Sequence, residues 1–299
     1  MASNEARCRW LRGRTMLAVV GVAVLGGLLL ASGIPSGDSG ARPGAGTAAG
    51  RAPIYPSSMD ALGASNTVGF NTDCPDAWMD CPDNSWATGT NPAVDSVYLR
   101  LLALDPQLAG NNANDAESGT AMADLDGQAQ KAVRRNADLV LIAMGTNDAC
   151  GGRTGVMTKV TVFRDQFTQA MDTLTEGLPE ARVHVVSIED LFQRWESLHA
   201  VPKVANAWRS IPFCPTLLTR PTSNAPKDVE RRAAVRARVL DFNAVLAQVC
   251  AEYPQCTTDG GAAFRSPVNV TELSTDDYWH LNIAGQATLA GLVWDTLGY

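Results

Sequence analysis

The sequence DLVLIAMGTND, residues 138–148, decides the fold class of this 299-residue chain. Six of its first seven residues are apolar, with no glycine or proline among them, which is typical of a strand buried on both faces of a sheet. The Gly-Thr-Asn-Asp that follows is turn-forming sequence, so polar side chains come directly after this strand. Strands of this kind occur in parallel sheets with helices on both faces, and the segment therefore predicts an α/β protein.

Strand-like and helical segments alternate on either side of this run. Residues 58–62 and 182–188 are the other strand candidates. Helical patterns cover residues 91–104, 126–137, 158–178, 227–253 and 283–297. Because helices connect parallel strands, this alternation predicts a three-layer α/β/α sandwich with a central parallel sheet.

The first 52 residues predict an export leader and a linker. Residues 1–14 carry four arginines and residues 15–33 carry no charge, which is typical of a signal peptide over residues 1–33. The apolar run is also near the length of a membrane-spanning helix, so a single uncleaved anchor is the alternative. Residues 34–52 are rich in Gly, Ala, Ser and Pro and predict a flexible linker, which leaves 53–299 as the folded domain. The protein is expected to be secreted, or anchored to the outer face of the cytoplasmic membrane.

Charge and composition exclude several classes of function. The chain has 24 basic and 31 acidic residues, a net charge of −7. Residues 1–52 hold six of the basic and two of the acidic residues, so the remainder has 18 basic and 29 acidic residues and a net charge of −11. This excess argues against a protein that binds nucleic acid. With three histidines and no HExxH or CxxC pair, no metal site and no cofactor are expected.

An even number of cysteines follows the leader. They are Cys74, Cys81, Cys150, Cys214, Cys250 and Cys256. Six cysteines outside the membrane fit a disulfide framework. Short separations favour Cys74–Cys81 and Cys250–Cys256, which leaves Cys150–Cys214. Free thiols in the core are the alternative.

His280 is the strongest candidate for a catalytic base among the three histidines. It follows Asp277 by three residues, and one turn of chain can place that carboxylate against the imidazole, which fixes its tautomer. His184 lies within a predicted strand and His199 near the end of a helical segment, so both are interpreted as structural. Asp-x-x-His alone is a weak signal.

Two serines follow a Gly-x pair and are candidate nucleophiles. Ser39, in Gly-Asp-Ser, lies in the predicted linker, whereas Ser65, in Gly-Ala-Ser, follows a strand-like segment. A turn after such a strand holds a hydroxyl at the carboxyl edge of the sheet, where open α/β proteins bind ligands. The Gly-x-Ser-x-Gly elbow of the α/β-hydrolases is absent from the sequence. Ser65 is therefore the preferred candidate.

Four dispersed blocks, taken in order, resemble the SGNH or GDSL-type hydrolase family of esterases and lipases over about residues 53–299. The blocks are Gly63-Ala64-Ser65, the glycine of Asn114–Gly119, Gly145-Thr146-Asn147-Asp148, and Asp277 with His280. The spacing of three residues between Asp277 and His280 also separates this pattern from the α/β-hydrolases. The resemblance implies the flavodoxin-like fold of that family.

The resemblance also implies a role for each matched residue. Ser65 would be the nucleophile, His280 its base, and Asp277 the group that orients His280. The backbone N–H groups of Ser65 and Gly119 and the side-chain amide of Asn147 would form the oxyanion hole. The expected protein is an exported, monomeric serine esterase that hydrolyses carboxylic esters of a small molecule, a lipid or a glycan through an acyl-enzyme. It would need no metal and no cofactor.

One position departs from the family pattern, since Ala64 stands where the family has an aspartate. That carboxylate is not part of the Ser/His/Asp set, so activity need not fail, although its loss could loosen the loop that holds Ser65. Two alternatives stay open: a lipid or polysaccharide deacylase with the same triad, and a degenerate, exported binding protein. Trp78 and Trp86, which lie within and near the Cys74–Cys81 loop, are candidates to wall the site.

Overall fold

Five parallel strands form the centre of this computed structural model, which describes residues 55–151, 155–211 and 213–299. The strands are β1 (Met59–Gly63), β2 (Asn112–Asn114), β3 (Leu139–Ala143), β4 (Arg182–Val185) and β5 (Cys256–Thr258). They pair in the order β2-β1-β3-β4-β5, and every pairing is parallel. The predicted α/β class with a central parallel sheet is confirmed, and the DLVLIAM run forms β3.

Helices cover both faces of the sheet. They are α1 (Ser65–Val68), α2 (Val97–Leu104), α3 (Leu125–Arg135), α4 (Thr146–Cys150), α5 (Val160–Gly177), α6 (Leu191–Leu198), α7 (Pro202–Ser210), α8 (Pro215–Leu218), α9 (Pro226–Cys250), α10 (Ala262–Arg265) and α11 (Ile283–Leu297). Buried side chains of α3, α5 and α9 share one core with the sheet, and those of α2 and α11 share the core on the other face. The molecule thus has the predicted three layers.

The central strand β3 explains why its sequence has no polar alternation. Val140 and Ile142 belong to the core beneath α3, α5 and α9, whereas Leu139 and Leu141 belong to the core beneath α2 and α11. All four side chains are completely buried. A strand covered on both faces can use apolar residues at every position.

Several predicted boundaries differ from the structure for local reasons. The helix expected over 91–104 begins only at Val97, because Ser96 caps α2 by accepting a hydrogen bond from the Leu99 N–H, and Asp95 has a positive φ of 49°. The strand expected over 182–188 ends at Val185. Strands β2 and β5 have three residues each, too few for a recognisable strand pattern.

Three disulfides connect loops and helix ends. They join Cys74 to Cys81, Cys150 to Cys214, and Cys250 to Cys256, which are the pairs that the sequence separations favour. The second bridge fastens the end of α4 to the residue before α8, and the third fastens the end of α9 to β5. The free-thiol alternative does not apply to these six residues.

The leader and the linker fall on residues 1–52, which lie outside the described residues. Among the residues that the structure describes, no helix is both long and apolar enough to cross a membrane.

Candidate active site

Ser65 lies at the carboxyl end of the sheet, directly after a tight turn. β1 ends at Gly63, and Ser65 is the first residue of α1. A Cβ atom at Gly63 would lie 2.5 Å from the carbonyl oxygen of Ala143 and 2.5 Å from the hydroxyl of Thr67, so only glycine fits this turn. The chain can therefore pass from strand to helix within two residues and present the Ser65 hydroxyl at the sheet edge.

The structure brings Ser65, His280 and Asp277 into one hydrogen-bonded chain. The Nε2 atom of His280 lies 2.9 Å from Oγ of Ser65, and its Nδ1 atom lies 2.7 Å from Oδ2 of Asp277. His280 and Asp277 are both buried, with exposed fractions of 4% and 0%. This arrangement can move a proton between the Ser65 hydroxyl and the imidazole while a fixed carboxylate holds the ring.

Asp277 stays charged because several donors surround it. Its carboxylate accepts hydrogen bonds from the backbone N–H groups of Trp279 and His280, at 2.7 and 2.9 Å, and from Nδ2 of Asn71, at 2.6 Å. Burial alone would raise the pKa of Asp277. The hydrogen bond and charge of His280, with the donors from Asn71 and Trp279, outweigh burial and hold that pKa below its usual value.

Asn71 is a site residue that the sequence reasoning missed. Its backbone has a positive φ of 54°, a conformation that asparagine tolerates better than most residues. Its Nδ2 atom donates to Asp277, and its Oδ1 atom accepts from the backbone N–H of Trp78 at 2.6 Å. The signal in the sequence is weak, because asparagine is common in turns of every kind and its position six residues after Ser65 does not distinguish it.

The loop that carries Asp277 and His280 is also held through its carbonyl groups. Arg194 donates to the Trp279 carbonyl at 2.6 Å, and the indole N–H of Trp208 donates to the Tyr278 carbonyl at 2.9 Å. Arg194 is only 1% exposed and forms an ion pair with Glu189. Nothing in the local sequence of α6 or α7 predicts these contacts, because both partners come from about 70 to 85 residues away.

Asn147 lies near Ser65 at the end of β3. It is the second residue of α4, and it lines the same cavity as Ser65. One of its amide hydrogens is donated to the Thr120 carbonyl at 2.7 Å, and the second has no acceptor among the described residues. Gly145 has a positive φ of 120°, and a Cβ there would also lie 2.4 Å from the Ile188 side chain, which explains the glycine before this helix.

Asp148, the residue after Asn147, has a structural role. It is 2% exposed, and its carboxylate accepts hydrogen bonds from the Met122 N–H at 2.9 Å and the Thr158 hydroxyl at 2.8 Å. Burial raises its pKa. Asp148 thereby fixes α4, and with it Asn147, to the segment before α3.

Gly119 lies in the loop between β2 and α3. It is exposed, has a positive φ of 87°, and is not among the described residues that line the cavity beside Ser65. Its neighbour Thr120 is tied to the site, since the Thr120 hydroxyl donates to the Gly63 carbonyl at 3.0 Å and its carbonyl accepts from Asn147.

Ala64 occupies the cap position of α1 without a side-chain hydrogen bond. Its side chain is 8% exposed, and its carbonyl accepts the N–H groups of Thr67 and Val68 at 2.9 and 3.2 Å. Backbone bonds thus form the turn at Ser65 without the carboxylate that the family pattern places at residue 64.

A cavity of about 100 Å³ begins at Ser65 and opens to solvent. It runs between the ends of β1, β3 and β4 and the helix α11. Its walls are mostly apolar and include Trp86, Met144, Val186, Ile188, Leu281, Leu289 and Leu292. Two carboxylates, Glu189 and Glu272, also line it. The space fits the apolar part of a substrate bound at Ser65.

Two aromatic rings contact the imidazole of His280. The rings of Phe70 and Phe213 meet the imidazole edge-on, with centroids 4.8 and 5.0 Å away. Trp78 stacks on Phe213, with centroids 5.8 Å apart and an interplanar angle of 24°. We call Trp78 and Phe213 the aromatic platform. Trp78 and Trp86, both candidates to wall the site, lie in different places: Trp78 on the platform and Trp86 in the cavity.

The other two histidines lie outside this group. His184 is buried in β4 between the hydroxyls of Thr257 and Thr296, and burial lowers its pKa to about 4. His199 stacks on Trp195. Ser39 lies outside the described residues. Within the described part of the chain, no group of three or more potential metal ligands occurs.

Comparisons with known proteins bear on the family and the fold. A model of the GDSL-like Lipase/Acylhydrolase family matches residues 61–288. The structure resembles that of a protein described as a GDSL-like lipase from Parabacteroides merdae, with 13% identity and a TM-score of 0.51 over 82% of this chain and 98% of that one. An extracellular lipase from Streptomyces rimosus is 18% identical, with a TM-score of 0.41 over 80% of this chain and 99% of that one. No curated protein sequence matches the chain significantly.

Proposed function

The chain belongs to the GDSL-like lipase/acylhydrolase family and is a carboxylic ester hydrolase, and we propose that Ser65 is its nucleophile. The observation that carries this proposal is the chain of contacts from Ser65 through His280 to Asp277, with distances of 2.9 and 2.7 Å. Such a series of hydrogen bonds can activate a hydroxyl that is a weak nucleophile by itself.

The proposed reaction has two halves. In the first, Oγ of Ser65 attacks the ester carbonyl carbon while Nε2 of His280 takes the hydroxyl proton. The imidazolium then gives that proton to the alcohol oxygen as the carbon–oxygen bond breaks, which releases the alcohol and leaves an acyl-enzyme. In the second half, His280 takes a proton from water as the water oxygen attacks the acyl carbon. The imidazolium then returns that proton to Oγ of Ser65 as the bond between Oγ and the acyl carbon breaks, and the carboxylic acid leaves and ionises in solvent. Asp277 stabilises the imidazolium in both halves.

We assign the oxyanion hole to three donors. They are the backbone N–H of Ser65, the remaining side-chain N–H of Asn147, and the backbone N–H of Gly119. The Asn147 amide is supported by its place in the cavity wall and by the bond to Thr120 that fixes its orientation. Each such donor is typically worth about 10²- to 10³-fold in rate.

The proposal also includes export. Three disulfides persist in an oxidising compartment, and they agree with the leader pattern of residues 1–33.

The contacts around His280 bear on the alternative of a protein that binds without catalysis. They support catalysis, because a protein that only binds has no need for a buried, charged Asp277.

Hydrolysis of a short-chain ester by two serine variants tests the proposal. Ser65→Ala should abolish turnover, since no other hydroxyl among the described residues is bonded to His280. Ser39→Ala is the matched control, because Ser39 lies in the intact Gly-Asp-Ser of the predicted linker, and it should keep full activity. Turnover retained in Ser65→Ala would refute the assignment, and turnover lost in Ser39→Ala would move the nucleophile to the linker.

A further inference from the structure

The aromatic platform extends from the solvent-exposed surface to the imidazole of His280. Trp78 is 53% exposed, and its ring stacks on Phe213, whose ring meets the His280 ring at an interplanar angle of 90°. Phe70 packs against both Trp78 and His280, with centroids 6.5 and 4.8 Å away. A substrate that approaches His280 along this path would contact aromatic rings.

Two disulfides and one hydrogen bond hold the platform in place. Trp78 lies within the loop closed by the Cys74–Cys81 bridge, and Phe213 precedes Cys214, which is bridged to Cys150. Trp78 has a positive φ of 67°, and its N–H donates to Asn71. A bulky residue in this backbone conformation is costly and persists only where its surroundings impose it. Asn71, which fixes Asp277, thus also fixes the position of this exposed tryptophan.

The proposed reaction decides which half of the ester lies near the platform. The departing alcohol must take its proton from Nε2 of His280, so its oxygen lies within hydrogen-bond reach of that atom when the bond breaks. The apolar cavity begins at Ser65, and neither Trp78 nor Phe213 is among its lining residues. The two halves of an ester therefore have two separate surfaces available, the cavity for the acyl group and the platform for the alcohol.

We propose that Trp78 and Phe213 form the subsite for the alcohol half of the ester and that this subsite takes alcohols with a ring face, either an aromatic ring or the apolar face of a sugar ring. This inference rests on the proposed function, because it uses His280 as the proton donor. Stacked rings gain more than their buried area alone provides, by an amount that corresponds to about 2- to 10-fold in rate or affinity.

Acetate esters that differ only in the alcohol test the subsite. Benzyl and n-heptyl acetate carry alcohols of equal carbon number and similar acidity, and methyl glucoside acetylated at its primary hydroxyl supplies the sugar face. For the unaltered protein, kcat/KM for the benzyl or the sugar ester should exceed that for the heptyl ester by about 2- to 10-fold. The ester with the larger ratio identifies the source of the ring. A preference for the heptyl ester over both ring esters would overturn the proposal.

Trp78→Leu isolates the platform, because Trp78 packs on Phe70 and Phe213, and these two rings in turn contact His280. The ring-to-heptyl ratio should fall to about 1 in this variant, whereas Trp78→Tyr, which keeps a ring face, should retain most of it. Trp294→Leu is the control, since Trp294 stacks on Tyr299 and does not line the cavity. An unchanged ratio in a folded Trp78→Leu protein would overturn the subsite.

Failure of the subsite and failure of the proposed function give different results. If Ser65 is not the nucleophile, Ser65→Ala hydrolyses all three esters. If only the subsite is wrong, Ser65→Ala is inactive on all three, and the ratio among them is the same in the Trp78→Leu and unaltered proteins.

Discussion

Asp277 and Asp60 are both completely buried carboxyl groups, but their surroundings drive their charges in opposite directions. Asp277 accepts hydrogen bonds from His280, Trp279 and Asn71, and its pKa is lowered. Neither oxygen of Asp60, on β1, has a hydrogen-bond partner among the described residues. Burial, with the nearby charge of Asp115, raises the pKa of Asp60 to about 8.

The neighbours of Asp60 explain why it can stay uncharged. Arg135 forms hydrogen bonds of 3.0 and 2.9 Å to Asp115, whereas its nearest atom is 3.5 Å from Asp60. One arginine thus compensates one carboxylate, and Asp60 keeps its proton. Burial pushes both Asp60 and Asp277 toward the neutral form, so the donors around Asp277 decide that it remains charged and able to stabilise an imidazolium.

The largest effect is expected when the charge at Asp277 is removed. Asp277→Asn should lower kcat by about 10⁴-fold, because the amide can no longer stabilise the imidazolium or select the tautomer. Asp60→Asn is the matched control and should leave kcat nearly unchanged, since Asp60 is already largely neutral near pH 7. Steady-state kinetics on one short ester measures both. Similar kcat values for the two variants would contradict the different roles given to the two carboxyl groups.

A smaller effect is expected when one donor to Asp277 is removed. Asn71→Ala deletes a hydrogen bond to a charged group, worth about 1.5–3 kcal/mol, so kcat/KM should fall by about 10- to 100-fold. The pKa of Asp277 should rise toward its usual value, so the loss should grow as the pH is lowered. Asn111→Ala is the control, because Asn111 donates to the Ser57 carbonyl far from the site. A pH profile unchanged by Asn71→Ala would contradict the role given to this donor.

Asp60 should affect stability rather than activity. Its pKa is raised in the folded state, so the folded protein binds more protons than the unfolded chain between about pH 4 and pH 8. The contribution of Asp60 to the free energy of unfolding is therefore full below pH 4 and is lost as the pH rises through 8, with a slope of at most about 1.4 kcal/mol per pH unit.

Denaturant unfolding of the unaltered protein and of Asp60→Asn across this pH range measures that contribution. The difference in stability between the two should shift steadily in favour of Asp60→Asn as the pH rises. A difference that does not depend on pH would show that Asp60 is charged in the folded protein.

The smallest effect is expected at residue 64. Ala64→Asp restores the carboxylate of the family pattern at the cap of α1, where an acidic side chain typically stabilises the folded protein by about 1 kcal/mol. Backbone bonds already form the turn at Ser65, so kcat/KM should change by less than about threefold. A large gain would mean that the alanine limits the activity of this chain.

The sequence predicted those parts of the fold whose signal is local and repeated. β3 and α11 follow directly from an apolar run and from helical spacing, because a two-sided strand and a packed helix need these patterns. β2 and β5 have three residues each and are stabilised by pairing with neighbours rather than by their own sequence. No window of sequence around them contains that information.

The candidate site also depends on contacts between residues that are distant in the sequence. Ser65, Asp277 and His280 could be proposed because four blocks in order resemble a known family, and the structure brings these three side chains together across 215 residues of chain. Asn71 and Arg194 act through contacts that only the folded chain creates, with partners 206 and 85 residues away. The place of Gly119 in the oxyanion hole stays a prediction.

Mass spectrometry of the protein after reaction with a fluorophosphonate, a probe that labels activated serines, tests the central claim most directly. The expected result is a single adduct on the peptide that carries Ser65, formed much more slowly in Asp277→Asn and His280→Ala. An adduct on another serine, or equal labelling of the unaltered and His280→Ala proteins, would contradict Ser65 as a nucleophile activated by His280.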